Sequence, residues 1–396
     1  MSDIIKTTKS HRFHYMDGIR GIASLAVCLW HNFLAFFPGS VMPSIKMQVP
    51  ILERYIYRSP IDIFFAGDFA VFIFFMLSGF VISVKFFGEC NAEALKKAFF
   101  RRYVRLMPPA LATVMLSYFL LKTGFMFNQQ AGGIANSWWL KLNWSEVSPT
   151  VYNALHYGLY DLWFVGTSAA GSYNSNLGTL LIELLGSYMI FMAIYVAFAL
   201  KLSVAQRYIF HAVLIYLAFV LLPGDPHYAV FFFGMAAADV YQNSQNVYVR
   251  LRRYGVPILL LGWFLGAANI GNLPFWPYHL VEIAFRSMNL HPLTYPWALG
   301  AILLVLGVML VPSTHHFLEN RFCQILGEYS FALYVTHTVF LGSVTCFLFT
   351  KLSETHRFSY GITVLLSFLI AAPFLVLATH LVKKVDDWAI GISRKI

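Results

Sequence analysis

Asp17, Arg20 and His31 stand in the stretch DGIRGIASLAVCLWH, where an acid, an arginine and an imidazole interrupt what otherwise reads as a first membrane-crossing helix. A charged group in hydrocarbon costs at least a few kcal/mol, so such groups are kept there for a partner or a task. Arg20 and His31 are eleven residues apart. That is about three helical turns, so both side chains leave one face about 16 Å from each other. Asp17 lies one turn before Arg20 and can pair with it. The helix would carry a cation at its membrane boundary and an imidazole near mid-membrane, with a slot between them that suits something long and anionic. The plainer reading of Arg20 is a side chain snorkelling to the boundary. For His31 it is a hydrogen bond to a neighbouring helix.

Three further groups could do chemistry. In FFMLSGF, Phe74 to Phe80, the small residues Ser78 and Gly79 let another helix or a ligand come close to the backbone. In RRYVRLMPP, Arg102 and Arg105 are one turn apart beside Arg101, which suits a guanidinium clamp on phosphate. Ordinary positive-inside anchoring accounts for the same cluster. Pro108 and Pro109 would start or bend the helix there. Glu183 in GTLLIELLGSY and His337 in YSFALYVTHTVF are polar intrusions into apolar runs. Either could serve His31 as the partner that fixes its tautomer and raises its basicity, with a purely structural interhelical hydrogen bond as the alternative.

These residues need elements to hold them, and composition says which. Of 396 residues, 59% are hydrophobic and 12% charged, against about 25% charged in soluble domains. Apolar runs of about 20 residues recur along the chain, near 18–37, 64–87, 103–123, 177–200, 206–222, 226–241, 255–270, 294–311, 325–349 and 360–382. The expected fold is an all-α polytopic transmembrane bundle of about ten spans, forming a single membrane-embedded domain over 1–396 with its core at about 14–385. Lys6, Lys9 and Arg12 precede a helix that holds ionisable residues, so the first helix is expected to be kept rather than cleaved.

The net charge of +10 is spread over short loops, which argues for orientation in a membrane and against nucleic acid. With the N-terminus inside, twenty of the 28 Lys and Arg, Arg207 among them, fall on the inner side. The outer side keeps eight, Arg58 among them, so both termini are expected in the cytoplasm, at a plasma (inner) membrane. Cys28, Cys90, Cys323 and Cys346 show no metal-ligand spacing and read as small packing residues, so no metal is expected. The loop 125–176 carries Trp138, Trp139, Trp144 and Trp163, and the loop 271–293 carries Pro274, Trp276, His279 and His291. Such aromatics on one side are expected first to anchor the bundle at the interface, and second to bind a sugar.

Taken in this order, the pieces resemble the acyltransferase-3 family of integral membrane O-acyltransferases. Asp17, Gly18, Arg20, Gly21 and His31 match its opening motif, and Phe74, Phe75, Leu77, Ser78, Gly79 and Phe80 its FFxLSGF segment. Arg101, Arg102, Arg105 and Pro108 match its basic element. Glu183 with Gly186, Ser187 and Tyr188 matches its central glutamate, and Ser330, Phe331, Tyr334 and His337 its late motif. Leu177 and Gly178 stand where the family commonly has tryptophan. The resemblance implies transfer of an acyl group, acetyl first among candidates, from cytoplasmic acyl-CoA to a hydroxyl of a carbohydrate-containing or glycolipid acceptor such as a surface polysaccharide. It implies His31 and Glu183 as catalytic residues, Arg20, Arg101, Arg102 and Arg105 as donor-binding residues, and Asp17, Ser78 and His337 in substrate or supporting roles. Membrane lipid would surround the whole. The rival from the residues alone is a proton-coupled secondary transporter with His31, Glu183 and His337 as a relay, although no half-to-half symmetry accompanies it.

Overall fold

The structure, a computed structural model, describes residues 13–40, 45–57, 59–88, 91–221, 225–269, 273 and 276–396. Lys6, Lys9, Arg12, Arg58, Cys90 and Pro274 lie outside these. A chain this apolar must satisfy its backbone polar groups within each segment, and helices do so. Among the described residues there is no strand. Ten helices form the bundle: α1 (His14–Phe36), α2 (Gly67–Gly88), α3 (Ala92–Thr123), α4 (Thr179–Ala199), α5 (Val204–Leu221), α6 (His227–Asn243), α7 (Gly255–Gly266), α8 (Thr294–Leu310), α9 (Arg321–Phe340) and α10 (Tyr360–Ser393).

Each expected apolar run is helical, but only seven helices among the described residues are long and apolar enough to cross a membrane. The three outside that set are α6 and α8, of 17 residues each, and α7, of 12. At 1.5 Å per residue α7 reaches only about 18 Å, against about 30 Å of hydrocarbon. The third span begins earlier than 103. Asn91 caps α3 by accepting from the backbone of Glu93 (2.9 Å) and Ala94 (3.2 Å), and the helix then runs through Pro108 and Pro109 to Gly124 in the left-handed region (φ 76°).

Helices α1 and α9 run parallel in backbone contact. A Cβ on Gly21 would fall 2.4 Å from the Gly327 nitrogen, and one on Gly327 would fall 2.3 Å from the Asp17 carbonyl oxygen. Only glycine permits that approach. Helix α2 runs the other way, with Gly67 against Trp30 and Phe80 against Phe13. So does α10, whose first residue Tyr360 donates its hydroxyl to the Phe36 carbonyl at 2.5 Å. These three helices around α1 make the frame of the site.

The 125–176 loop is a folded cap of short helices that buries some of its aromatics and exposes others. Trp139, Trp144 and Trp163 are buried, and Trp138 is exposed. The buried indoles of Trp144 and Trp163 donate to the Tyr173 and Gly158 carbonyls, both at 2.8 Å. Anchoring was the wrong expectation for these rings because a core can hold an indole whose N–H finds a carbonyl. The cap sits where α9 passes into the π-helical turn Leu341–Thr345, and Trp144 packs on Gly342 of that turn. Such turns open the helical ladder locally. Arg207, expected on the inner side at the start of the 206–222 run, is buried in the first turn of α5.

Candidate functional site

His31 and His337 meet where α1 and α9 run side by side. His337 Nε2 lies 3.0 Å from His31 Nδ1, and Trp139 of the cap lies against the His31 ring with centroids 5.3 Å apart. The protons can be placed by elimination, because a carbonyl only accepts. His337 Nδ1 faces the Leu333 carbonyl at 3.0 Å and so carries a hydrogen, which makes its Nε2 an acceptor in the neutral ring. His31 Nδ1 faces both the Val27 carbonyl at 3.0 Å and that acceptor, so it too is the protonated nitrogen. The lone pair of His31 is thereby left on Nε2, which makes no hydrogen bond among the described residues.

His337 is held from the cap side. Asn174 donates to the Val335 carbonyl (2.8 Å) and accepts from the Thr338 hydroxyl (2.6 Å), gripping α9 on both sides of the imidazole. Asn176 donates to the Tyr334 carbonyl, and the Tyr334 hydroxyl bonds to the Asn176 carbonyl (3.1 Å) and to Thr179 at the head of α4 (2.5 Å). Asn174, Asn176 and Thr179 gave no signal in the sequence. Short amides and hydroxyls in a polar loop are common, and only the fold brings them to α9.

Glu183, one turn beyond Thr179, does not meet His31. Its Oε1 accepts from the Arg102 guanidinium and from the Ser78 hydroxyl (2.7 Å), and Arg102 Nε also donates to Ser187 (2.9 Å). Of the two partners expected for His31, the structure brings His337 and engages Glu183 elsewhere. The reason is register: Glu183 faces α2 and α3, whereas His31 faces α9.

Arg102 and Arg105 lie one turn apart on α3 in different surroundings. Arg102 turns in toward Glu183 while Arg105 is exposed. A cationic end nevertheless forms around the start of α1. Asp17 and Arg20 pair at 3.7 Å, Arg101 donates to the Arg394 carbonyl (3.3 Å), and Arg102 lies within electrostatic reach of both Arg20 and Arg105. Asp386 of α10, buried, lies within reach of Arg105, Lys383 and Arg20. Sequence reading missed Asp386; the KKVDD run that signals it begins just past the expected end of the last span.

On another face of α1, Trp30, Phe33, Asp62, Asp68, Asn269 and Trp297 line a cavity of about 150 Å³. Burial pushes the Asp62 carboxyl up to about 7. Among the described residues no group of three or more His, Cys, Asp or Glu could hold a metal.

Comparison with known proteins gives this geometry a family. Residues 13–384 match the acyltransferase domain of the acyltransferase-3 family, nearly the whole chain. The chain belongs to the acyltransferase-3 family. It is a multi-pass membrane acyltransferase that transfers groups other than aminoacyl groups. Among curated acyltransferases it is 23% identical to the O-acetyltransferase PaAT-1 of Phomopsis amygdali, over 84% of this chain and 73% of that protein. It is 21% identical to acyltransferase R4 of a Phoma species and 22% identical to acyltransferase clz18 of Cochliobolus lunatus, each over 82% of this chain and 81% of the relative. No solved structure matches significantly. Membership in the acyltransferase-3 family sets aside the transporter reading.

Proposed function

We propose that this protein moves an acyl group, acetyl in the first instance, from cytoplasmic acyl-CoA to a hydroxyl of a carbohydrate-containing acceptor such as a surface polysaccharide or glycolipid, within one membrane-embedded domain. The observation that carries the reading is the lone pair left on His31 Nε2 by the His337 contact. In the reaction His31 Nε2 takes the proton of the acceptor hydroxyl as its oxygen attacks the thioester carbonyl. The carbon–sulfur bond then breaks, and the proton passes from His31 to the departing thiolate. His337 acts as a positioning residue that holds the His31 tautomer. A base so placed supplies about 10²- to 10⁴-fold, and alignment of donor and acceptor supplies the rest.

Arg20, Arg101 and Arg105 would take the anionic head of the donor at the start of α1, with Asp17 orienting Arg20. The test is His31→Ala, assayed for transfer from radiolabelled acetyl-CoA at matched membrane levels. Transfer should fall to background while the protein still inserts, because an apolar span survives the change. Retained activity overturns the base assignment. Mass spectrometry of surface glycans with and without the protein checks the acceptor class.

A further inference from the structure

The cavity of about 150 Å³ beside α1 brings two indoles and two carboxylates to one space. Trp30 of α1 and Trp297 of α8 line it, with Asp62 from the turn Pro60–Phe65 and Asp68 from the head of α2. Both indoles are held in place. Trp30 packs on Gly67, where a Cβ would fall 2.1 Å from its ring, and Trp297 donates to the Ala268 carbonyl at 2.7 Å.

The carboxylates have no lysine or arginine to answer them among the described residues. Asp62 is buried, and Asp68 opens onto the space. The basic group within electrostatic reach of Asp68 is His227, which is itself joined to Asp225. Asp62 has within reach the Tyr278 hydroxyl, which is buried and makes no hydrogen bond among the described residues. A favourable helix dipole accounts for an acid at the head of α2. It does not account for two acids and two indoles around one space. Carboxylates held out of water without a counter-ion are costly, and burial already holds the Asp62 carboxyl up at about 7. A cation beside it would reverse that shift.

Size and lining narrow the cation. A cavity of this volume takes a group about as large as a benzene ring. Its polar side chains besides the indoles are Asp62, Asp68, Asn269 and Ser40, and the rest of the wall is apolar, so a ring of neutral hydroxyls would go largely unpaired there. An alkylated ammonium meets both demands: its charge answers the carboxylates, and its alkyl surface answers the indoles.

We propose that this cavity binds an alkylated organic ammonium group, carried by a free solute rather than by a phospholipid, whose neighbouring phosphate the carboxylates would repel. The cavity adjoins the histidines. Trp30 directly precedes His31, and Asp68 lies within electrostatic reach of Tyr334, one turn from His337. On the acyl-transfer reading, on which this last step rests, an ammonium held here is a second handle on the acceptor.

Choline and 3,3-dimethylbutan-1-ol share a shape and differ in charge. Isothermal titration calorimetry on the purified protein in detergent should show choline binding at least about tenfold more tightly, the value of a charge-assisted contact. Asp62→Asn and Asp68→Asn should each cut that ratio at least about threefold, and Trp30→Leu should cut it too. Glu146→Gln, exposed on the cap, should leave it unchanged. Phosphocholine should bind at least about tenfold more weakly than choline. If one aspartate variant does not fold, the other and the wild-type ratio decide. Equal binding of choline and the alcohol, or a ratio unmoved in the aspartate variants, overturns the site. Phosphocholine binding as tightly as choline overturns the assignment to a free solute. Choline bound but not acetylated from acetyl-CoA, by enzyme active on another acceptor, removes the acceptor step and leaves the site standing.

Discussion

At the scale of single residues, the tautomer of His31 depends on one neighbour. His337 can hold the His31 Nδ1 proton only while its own Nε2 stays an acceptor, and the Leu333 carbonyl enforces that. Glutamine at 337 offers a carbonyl oxygen near the same place, and leucine offers nothing. His337→Leu should therefore lower kcat by about 10- to 100-fold with little change in KM for the donor, while His337→Gln should keep most of the activity. Steady-state kinetics on both purified variants decides. Equal losses in Leu and Gln would mean that the imidazole matters for its shape and not for its acceptor. His31 and His337 were legible in the sequence because an imidazole in an apolar run has few reasons to be there. Their contact was not, since 306 residues separate them and only the glycine seam of α1 and α9 brings them together. Glu183 was legible as functional and misread as to partner. Sequence tells that a buried carboxylate needs a cation, but not which face of α4 carries it.

At the scale of elements, helices α5 and α6 show how a cation at the start of a helix becomes part of the core. Arg207 donates to both oxygens of Asp239 at 2.8 Å, His211 Nε2 bonds to Oδ2 at 2.9 Å, and Asn243 donates to Oδ1 at 2.8 Å. Asp239 is fully buried and Phe87 and Phe198 flank the guanidinium. The partners lie 32 and 28 residues apart in sequence, so nothing local announces them. Helix α6, one of the two shortest expected spans, is fastened to α5 by this cluster. Removing one partner leaves a buried charge, so Asp239→Ala should destabilise the protein by about 3–5 kcal/mol. The double replacement Arg207→Met with Asp239→Leu should recover part of that loss, since well-packed apolar groups can stand in for a buried pair. Thermal unfolding in detergent, followed by tryptophan fluorescence, gives both numbers. A double variant no better than Asp239→Ala would show that the cluster contributes more than mutual neutralisation.

At the scale of the whole molecule, the two ends of the bundle differ in kind. The end where α1 begins gathers Arg20, Arg101, Arg105, Lys383 and Arg394, and the other end is closed by the 125–176 cap with its buried indoles. The all-helical bundle was legible from apolar runs alone. The cap was not, because short helices held by indole and amide bonds to carbonyls leave no periodicity long enough to read. Under the proposed function the cationic end faces the cytoplasm, the side from which acyl-CoA would enter. Two single cysteines test this in a Cys90→Ser background, with Cys28, Cys323 and Cys346 buried. Glu146→Cys lies exposed on the cap and Lys395→Cys lies exposed at the other end. An impermeant maleimide applied to intact cells should label the first directly and the second only after permeabilisation. The reverse pattern would turn the bundle over and put the arginines on the side without CoA. It would also leave His31 facing the donor's side through the cap, so that the phosphates and the base could no longer be reached by one molecule entering from the cytoplasm.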